Sequence, residues 1–374
     1  MTRTEFERYS RQIVMPEIGP DGQRKLKASS VLVVGVGGLG TPAAVFLAAA
    51  GVGRIGLVDH DTVQASNLHR QVLYSEQDIG KKKVWVAKSR LQMTNPHIKI
   101  EIYDTELDST NALEILRGYD IIIDGTDNFP ARYLIGDACV LLEKPDVYAS
   151  VFRLDGQMIV FDKSGPCYRC VYPEPPPPST VPSCAEAGVL GVLPGIMGSL
   201  QAAEALKLIL HIGDSLIGRL LVLNATEMKF TEIKVGKNLD CPICGPNPSI
   251  KNLQDYEAFC GSNIEAIESV PELTPILLKR MLDEGKDVEL VDVREPFEYE
   301  ICHLEGSKLV PLGQLQERVG DLSKSKTVVV YCHHGRRSAN AVSYLTSAGF
   351  TDVKNLRGGI AAWRVEVDPK ILEY

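Results

Sequence analysis

Val31-Leu-Val-Val-Gly-Val-Gly-Gly-Leu-Gly40 is a short β-branched run that ends in closely spaced glycines. Thr41 to Ala50 is Ala-rich and reads as a helix, and Arg54 to Val58 is a second apolar strand that ends at Asp59. Strand, glycine turn, helix and strand make a βαβ unit. Gly35, Gly37 and Gly40, with Gly38 in the same loop, satisfy the fingerprint that lets backbone N–H groups approach a phosphate at a helix N-terminus. Asp59 follows at the distance where an acidic residue binds ribose hydroxyls.

Working outward, Tyr119 to Ile123 is a further strand that ends at Asp124-Gly-Thr-Asp-Asn128, and Gln157 to Asp162 and Leu220 to Asn224 read as later strands. Repeated strand–helix alternation predicts an α/β fold: a doubly wound, mostly parallel, Rossmann-like sheet. Pro173 to Pro182 is Pro-rich and predicts an extended, mobile loop. Cys241 to Pro248 is dense in Cys, Pro and Gly, and a polar stretch follows. The expected division is a first domain over 1–248, a linker over 249–265 and a smaller α/β domain over 266–374. In the latter, Val288 to Val293 and Thr327 to Tyr331 read as strands and Arg337 to Ala348 as a helix.

A chain of 374 residues suits about two domains, and 44% hydrophobic with 24% charged residues is ordinary for a globular protein. The net charge of −8 argues against bulk electrostatic binding of nucleic acid. Met1 to Arg8 has no apolar run, so no signal peptide is expected. Val189 to Leu210 is apolar but carries Pro194, Gln201, Glu204 and Lys207, and reads as a buried helix rather than a membrane span. Nine cysteines, an odd number, point to metal and catalytic roles in the cytoplasm rather than a disulfide framework.

The glycine loop alone would favour an NAD(P)-dependent oxidoreductase. The residues beyond Asp59-His-Asp61 change the balance: Ser66-Asn-Leu-His-Arg70-Gln71, then Lys81-Lys-Lys83. A dinucleotide needs no cluster of cations, whereas a nucleoside triphosphate must have its leaving pyrophosphate neutralised, and Arg70 and Lys83 suit that task. Asp127, just past a strand, suits Mg²⁺ or the nucleotide. Lys81 and Lys82 read as a solvated helix start.

These motifs, together with Arg8-Tyr-Ser-Arg11-Gln12 and Thr126-Asp-Asn128, resemble the adenylation core of the MoeB/ThiF family over about Phe6 to Cys244. That family is related to the ubiquitin-activating enzymes. The resemblance implies ATP and Mg²⁺, with Asp59 on the ribose and Asn67, Arg70 and Lys83 on the phosphates. It makes Ser66, Leu68, His69 and Gln71 part of the nucleotide motif and Asp127 and Asn128 nucleotide or Mg²⁺ residues. It also implies a homodimer in which Arg11 enters the partner's active site. The implied partner is a small ubiquitin-like sulfur carrier of MoaD or ThiS type, ending in Gly-Gly.

Cys167-Tyr-Arg-Cys170 and Cys241-Pro-Ile-Cys244 are two CxxC pairs, each presenting two thiolates on one side of a knuckle. Together they suit a closed Zn²⁺ site, which the resemblance also carries onto these four positions; a redox pair is the rival for either one alone. Cys184 ends the Pro-rich loop before Ala185-Glu-Ala-Gly and reads either as a covalent-chemistry residue or as a dispensable surface thiol. Cys139, Cys260 and Cys302 have no partner at useful spacing.

Val291-Asp-Val-Arg-Glu-Pro-Phe-Glu-Tyr299, His303-Leu-Glu-Gly306, Tyr331-Cys-His-His-Gly-Arg-Arg-Ser338 and Leu356 to Trp363 resemble a rhodanese domain. Cys332 follows a strand and opens a six-residue loop to Arg337, so consecutive N–H groups can face one sulfur, and Arg336 and Arg337 add charge. Four residues separate Cys332 from Arg337, one fewer than in the C-x₅-R loop of Cys-dependent phosphatases. Asp292 and Arg294 read as residues that hold the loop. The joint expectation is ATP-dependent adenylation of the carrier's terminal glycine, then sulfur transfer from a Cys332 persulfide charged by a cysteine desulfurase or thiosulfate. The alternatives are an oxidoreductase and an activator for ubiquitin-like conjugation. Neither nucleic acid nor membrane is an expected partner.

Overall fold

A computed structural model describes residues 1–176, 187–261 and 270–372. The chain divides into two compact units, the first running to Ser262 and the second from Asn263. Cys184 and most of the Pro-rich loop lie outside the described residues.

The first unit is built on one eight-stranded sheet in the order β3-β2-β1-β4-β5-β6-β7-β8. Its strands are β1 (Ser30–Val34), β2 (Arg54–Val58), β3 (Lys99–Tyr103), β4 (Ile121–Asp124), β5 (Asp146–Phe152), β6 (Asp155–Phe161), β7 (Arg219–Asn224) and β8 (Lys229–Lys234). β1 to β5 are parallel, in register from Val34 opposite Val58 and Asp124, and the last three strands run antiparallel. The β-branched runs are buried throughout in β1 and β4, as strands covered on both faces must be.

The helices that matter for the site are α1 (Ser10–Ile13), α2 (Gly40–Ala50), α3 (Lys83–Thr94), α4 (Phe129–Leu142), α5 (Val192–Leu210) and α6 (Tyr256–Gly261). α2 packs on α5 through small side chains, Ala43, Ala44 and Ala48, on one face of the sheet. α5 is long and apolar enough to cross a membrane by length and composition. Here Leu193, Met197, Ala202 and Ala205 pack it into the core against α2, β5 and β6. α4 and α6 cover the opposite face, where Tyr133, Tyr148, Tyr168 and Tyr256 form an aromatic core. The stretch over 249–265, expected as a linker, thus contains a helix that is part of the first unit.

The second unit has a five-stranded parallel sheet in the order β11-β10-β12-β13-β9. The strands are β9 (Glu272–Leu273), β10 (Val288–Asp292), β11 (Lys308–Leu309), β12 (Thr327–Tyr331) and β13 (Val353–Leu356). α7 (Pro296–Ile301), α8 (Arg336–Ser347) and α9 (Gly359–Glu366) complete the parts that surround Cys332.

One strand residue conflicts with its surroundings. Asp146 opens β5 at 0% exposure, and neither carboxyl oxygen has a hydrogen-bond partner among the described residues. Burial, and then the nearby Asp124 carboxyl, push Asp146 well above the usual carboxylate range. A raised acid favours folding below its unfolded value, about pH 4, and that contribution is lost as pH rises towards the folded value. Asp146→Asn should therefore gain stability relative to the parent as pH increases from 5 to 8, measured as urea midpoints. Parallel pH curves for the two proteins would contradict this.

Candidate functional site

The loops at the carboxyl ends of the parallel strands enclose a cavity of about 280 Å³. It lies between β1 and β4, where the strand order changes direction, the place at which open α/β sheets hold ligands. Gly35, Gly37 and Gly38 line it from the β1–α2 turn. A Cβ at Gly40 would meet the Gly35 carbonyl oxygen, and one at Gly35 would stand 2.8 Å from the Gly125 oxygen at φ 83°. Only glycines allow the two strand-end loops to touch.

Asp59 ends β2 and faces the cavity. Its carboxylate accepts the Val36 N–H at 2.8 Å and the Asp61 N–H at 2.9 Å, which ties it to the glycine loop. Lys83, the first residue of α3 and only 5% exposed, donates to Asp61 at 2.7 Å. Burial raises the Asp61 carboxyl, but the Lys83 hydrogen bond and charge outweigh it and leave it below the ordinary range. Arg70 also lines the cavity. Its guanidinium donates to the Ser66 carbonyl at 2.9 Å and contacts the His69 ring at 2.7 Å. Burial and the Arg70 charge lower the His69 pKa, so the neutral ring can accept from Arg70. Gln71 lines the cavity, is 4% exposed, and its side-chain oxygen has no partner among the described residues. A buried acceptor left open in a cavity wall fits a ligand that donates to it.

Asp127 and Asn128 follow β4 at the mouth of the cavity. Asn128 caps α4 by accepting the Ala131 N–H, while Asp127 is exposed. Gly40, Ser66, Asn67, Leu68 and His69 do not line the cavity. Ser66 and His69 act one layer out by aiming Arg70, Leu68 packs on the core, and Asn67 is buried and accepts the Gln64 N–H at 3.2 Å. Arg11 stands exposed on α1, outside this chain's own cavity. The motif reading missed the walls made by Thr105 to Ser109, Pro194 and Asp255 to Glu257. They belong to segments outside the glycine loop and the motifs that follow it.

Cys167, Cys170, Cys241 and Cys244 converge, with all four sulfurs within 4.8 Å of one another. The separations of 3.8, 3.5 and 3.3 Å between Cys167–Cys170, Cys167–Cys241 and Cys170–Cys244 suit a tetrahedral thiolate site. Such a site needs sulfurs about 3.8 Å apart for metal–sulfur bonds of about 2.3 Å. The set can hold one metal ion. Burial and the neighbouring thiols push Cys167 well up, a tension that a bound cation would relieve.

In the second unit, Cys332 is 2% exposed at the end of β12. Its sulfur accepts the Gly335 N–H at 3.1 Å and lies 3.4 Å from the Ser338 hydroxyl. The loop's outward carbonyls, those of Cys332 and His333, accept Ile360 and Ala361 N–H groups from the first turn of α9, at 2.9 and 3.1 Å. That satisfies donors a helix start leaves open. Glu298 takes the Arg337 guanidinium in a bidentate pair at 2.6 and 2.7 Å, so of the two arginines Arg336 remains exposed. Asp292 and Arg294 form a fully buried pair, and Arg294 also donates to the Cys302 carbonyl at 2.7 Å. Burial, then His334 and Arg294, lower the His333 pKa to about 4, so its ring is neutral near pH 7.

A nucleotide-type cleft in one unit and a thiol cradle in the other define a two-part transferase. The ThiF family model matches residues 9–243 and the rhodanese-like domain model matches residues 274–366. The chain belongs to the ThiF family and carries a C-terminal rhodanese-like domain, as its motifs implied. It is 43% identical to the probable adenylyltransferase/sulfurtransferase MoeZ of Mycobacterium tuberculosis, over 100% of this chain and 96% of that protein. It is 54% identical to the sulfur carrier protein adenylyltransferase of Thermus thermophilus, over 70% of this chain and 98% of that one. Among solved structures it is similar to Escherichia coli MccB with ATP, at 25% identity and a TM-score of 0.54, covering 60% of this chain and 68% of that one.

Gly359 supports the Cys332 loop from below: a Cβ there would collide with the Cys332 and His333 carbonyls, at φ 61°. Gly359→Ala should cost about 1–3 kcal/mol of stability in the second unit. It should also lower thiosulfate sulfurtransferase activity by roughly 10²-fold through displacement of the loop. Parent-like activity in this variant would show that the α9 contact does not shape the cradle.

Proposed function

We propose that this enzyme adenylates the C-terminal carboxylate of a ubiquitin-like sulfur carrier with ATP and then converts it to a thiocarboxylate with sulfur carried on Cys332. The observation that carries the reading is the pairing of Arg70 and Lys83 beside the glycine loop with the Cys332 cradle in one chain. The names of the relatives agree with it: one is an adenylyltransferase/sulfurtransferase and another a sulfur carrier protein adenylyltransferase. A role in molybdenum cofactor synthesis is consistent with them, with thiamine synthesis as the second pathway.

In the first step a carboxylate oxygen of the carrier attacks the α-phosphorus of ATP, and pyrophosphate leaves. Arg70 and Lys83 offset the charge that develops on the leaving group, and the cleft supplies orientation. Asp59 suits the ribose hydroxyls, and Asp127 is the residue that would hold Mg²⁺, which would screen the phosphates. In the second step the outer sulfur of the Cys332 persulfide attacks the acyl carbon and AMP leaves, forming an acyl disulfide. A thiol then cleaves the S–S bond, which releases the thiocarboxylate and leaves a disulfide between that thiol and Cys332. Cys184 is the chain's own candidate for that thiol. A reducing thiol from solution must then open that disulfide, after which thiosulfate or a cysteine desulfurase persulfide would recharge the freed Cys332 thiolate. Arg11, exposed outside its own cavity, suits a contribution to the partner's cleft in a homodimer. The reduced thiols this cycle requires fit the cytoplasm.

The two chemistries should separate. Cys332→Ala should keep carrier-dependent ATP–pyrophosphate exchange near the parent rate and lose sulfur transfer, with partial rescue by inorganic sulfide. Asp127→Ala should lose exchange by about 10²-fold or more and keep thiosulfate sulfurtransferase activity. Thiocarboxylate made normally by Cys332→Ala without sulfide would remove the sulfur-donor role and favour a conjugation activator.

The four-cysteine set we assign to structural zinc. Metal analysis should find about one zinc per chain, and its removal by a chelator should lower the unfolding temperature of the first unit. Zinc-free protein with an unchanged unfolding temperature would refute the assignment.

A further inference from the structure

Residues 244–273 fall in neither family match, yet Asp255, Tyr256 and Glu257 line the cavity of the first unit. Asp255 caps α6, its carboxylate accepting the Ala258 N–H at 2.9 Å. Tyr256 is the buried residue of the three, at 5% exposure. Its hydroxyl donates to Asp137 on α4 at 2.7 Å. Asp137 is in turn held by Arg169 through two bonds of 2.8 and 2.9 Å, both side chains almost fully buried. Arg169 lies between Cys167 and Cys170, and its guanidinium covers the rings of Tyr133 and Phe259, the latter also on α6. Burial and the adjacent Asp137 keep the Tyr256 phenol protonated and able to donate. The segment is therefore anchored at a fixed distance from the cleft by a buried charge pair.

Arg70 and Lys83 line the cleft together with Asp59, Asp61 and Asp127, and four further carboxylates line it, Glu106 and Asp108 from the loop after β3 and Asp255 and Glu257 from the Tyr256 segment. Asp61 is paired with Lys83 and Asp59 is bonded to backbone N–H groups, whereas none of these four is in an ion pair among the described residues. A wall of carboxylates repels phosphates and accepts from amino groups, so a nucleotide lies with its phosphates towards Arg70 and its base towards this wall. The topology agrees: Asp59, the ribose candidate, ends β2, and the Glu106–Asp108 loop follows β3, the next strand out from the glycine loop.

We infer that the segment around Tyr256, outside both recognised domains, forms the nucleobase-side wall of the nucleotide cleft, and that Tyr256 is its positioning residue through Asp137 and Arg169. The inference rests on the reading that the cleft holds ATP. Carrier-dependent exchange in the full chain tests both, because ATP and pyrophosphate are titrated separately. Tyr256→Ala should raise the KM for ATP by about tenfold with kcat within about twofold, and should leave the KM for pyrophosphate unchanged. Tyr256→Phe, which loses only the bond to Asp137 and keeps the ring, should fold like the parent and give a smaller shift of the same kind. Sulfur transfer from thiosulfate should be unaffected in both. If both KM values rise together, or neither moves, the wall assignment is wrong. Arg70→Ala separates the two readings, since exchange that survives it would overturn the ATP assignment itself, whatever Tyr256 does.

Discussion

The first unit depends on one close backbone approach. β1 and β4 are hydrogen-bonded neighbours, and the turns that leave them touch through Gly35 and Gly125, with Gly40 tucked under the Gly35 carbonyl. No side chain fits there, so no side chain fills the crevice above it. The helix that starts at Gly40 can then present its N-terminus to the cavity, and Asp59 can fasten the loop by taking the Val36 N–H. The cations and the carboxylates are arranged around a space that this contact keeps open.

The second unit solves a similar problem with the same parts. A parallel strand ends, the chain turns at a glycine with φ 91°, and a helix begins. In the first unit the turn faces a cavity; in the second its Gly335 N–H donates to the Cys332 sulfur. The difference lies in what lies beneath the turn. The first turn of α9 takes the loop's carbonyls through the Ile360 and Ala361 N–H groups, and Gly359 lets the two backbones approach. The arginine that ends the loop is paired with Glu298, and the Cys332 sulfur is met by the Gly335 N–H and the Ser338 hydroxyl. Arg336 keeps its charge at the surface, where an anionic donor would first meet it.

Much of this was legible in the residues. The glycine loop, Asp59, Arg70, Lys83 and Asp127 carry their chemistry in short motifs, and the structure brings them to one cavity. The two CxxC pairs suit a shared site, and their sulfurs do converge. Local spacing did not reveal the division of labour inside a motif. Ser66 and His69 support Arg70 rather than line the cavity, and Arg337 turns to Glu298, a residue 39 positions away. The helix Tyr256–Gly261 was hidden for a related reason. Its polar surroundings read as a linker, and only tertiary contacts, the Tyr256 bond to Asp137 and Phe259 under Arg169, show that it belongs to the first unit.

The central claim is that sulfur passes from Cys332 to a carboxylate activated in the same chain. It is tested most directly by loading Cys332 with a persulfide of heavy-isotope sulfur, adding the carrier and ATP, and following the label by intact mass. The label is expected to leave the enzyme and appear in the carrier's C-terminal thiocarboxylate, in proportion to AMP formed and only when ATP is present. Label that stays on Cys332 while AMP accumulates would contradict the claim.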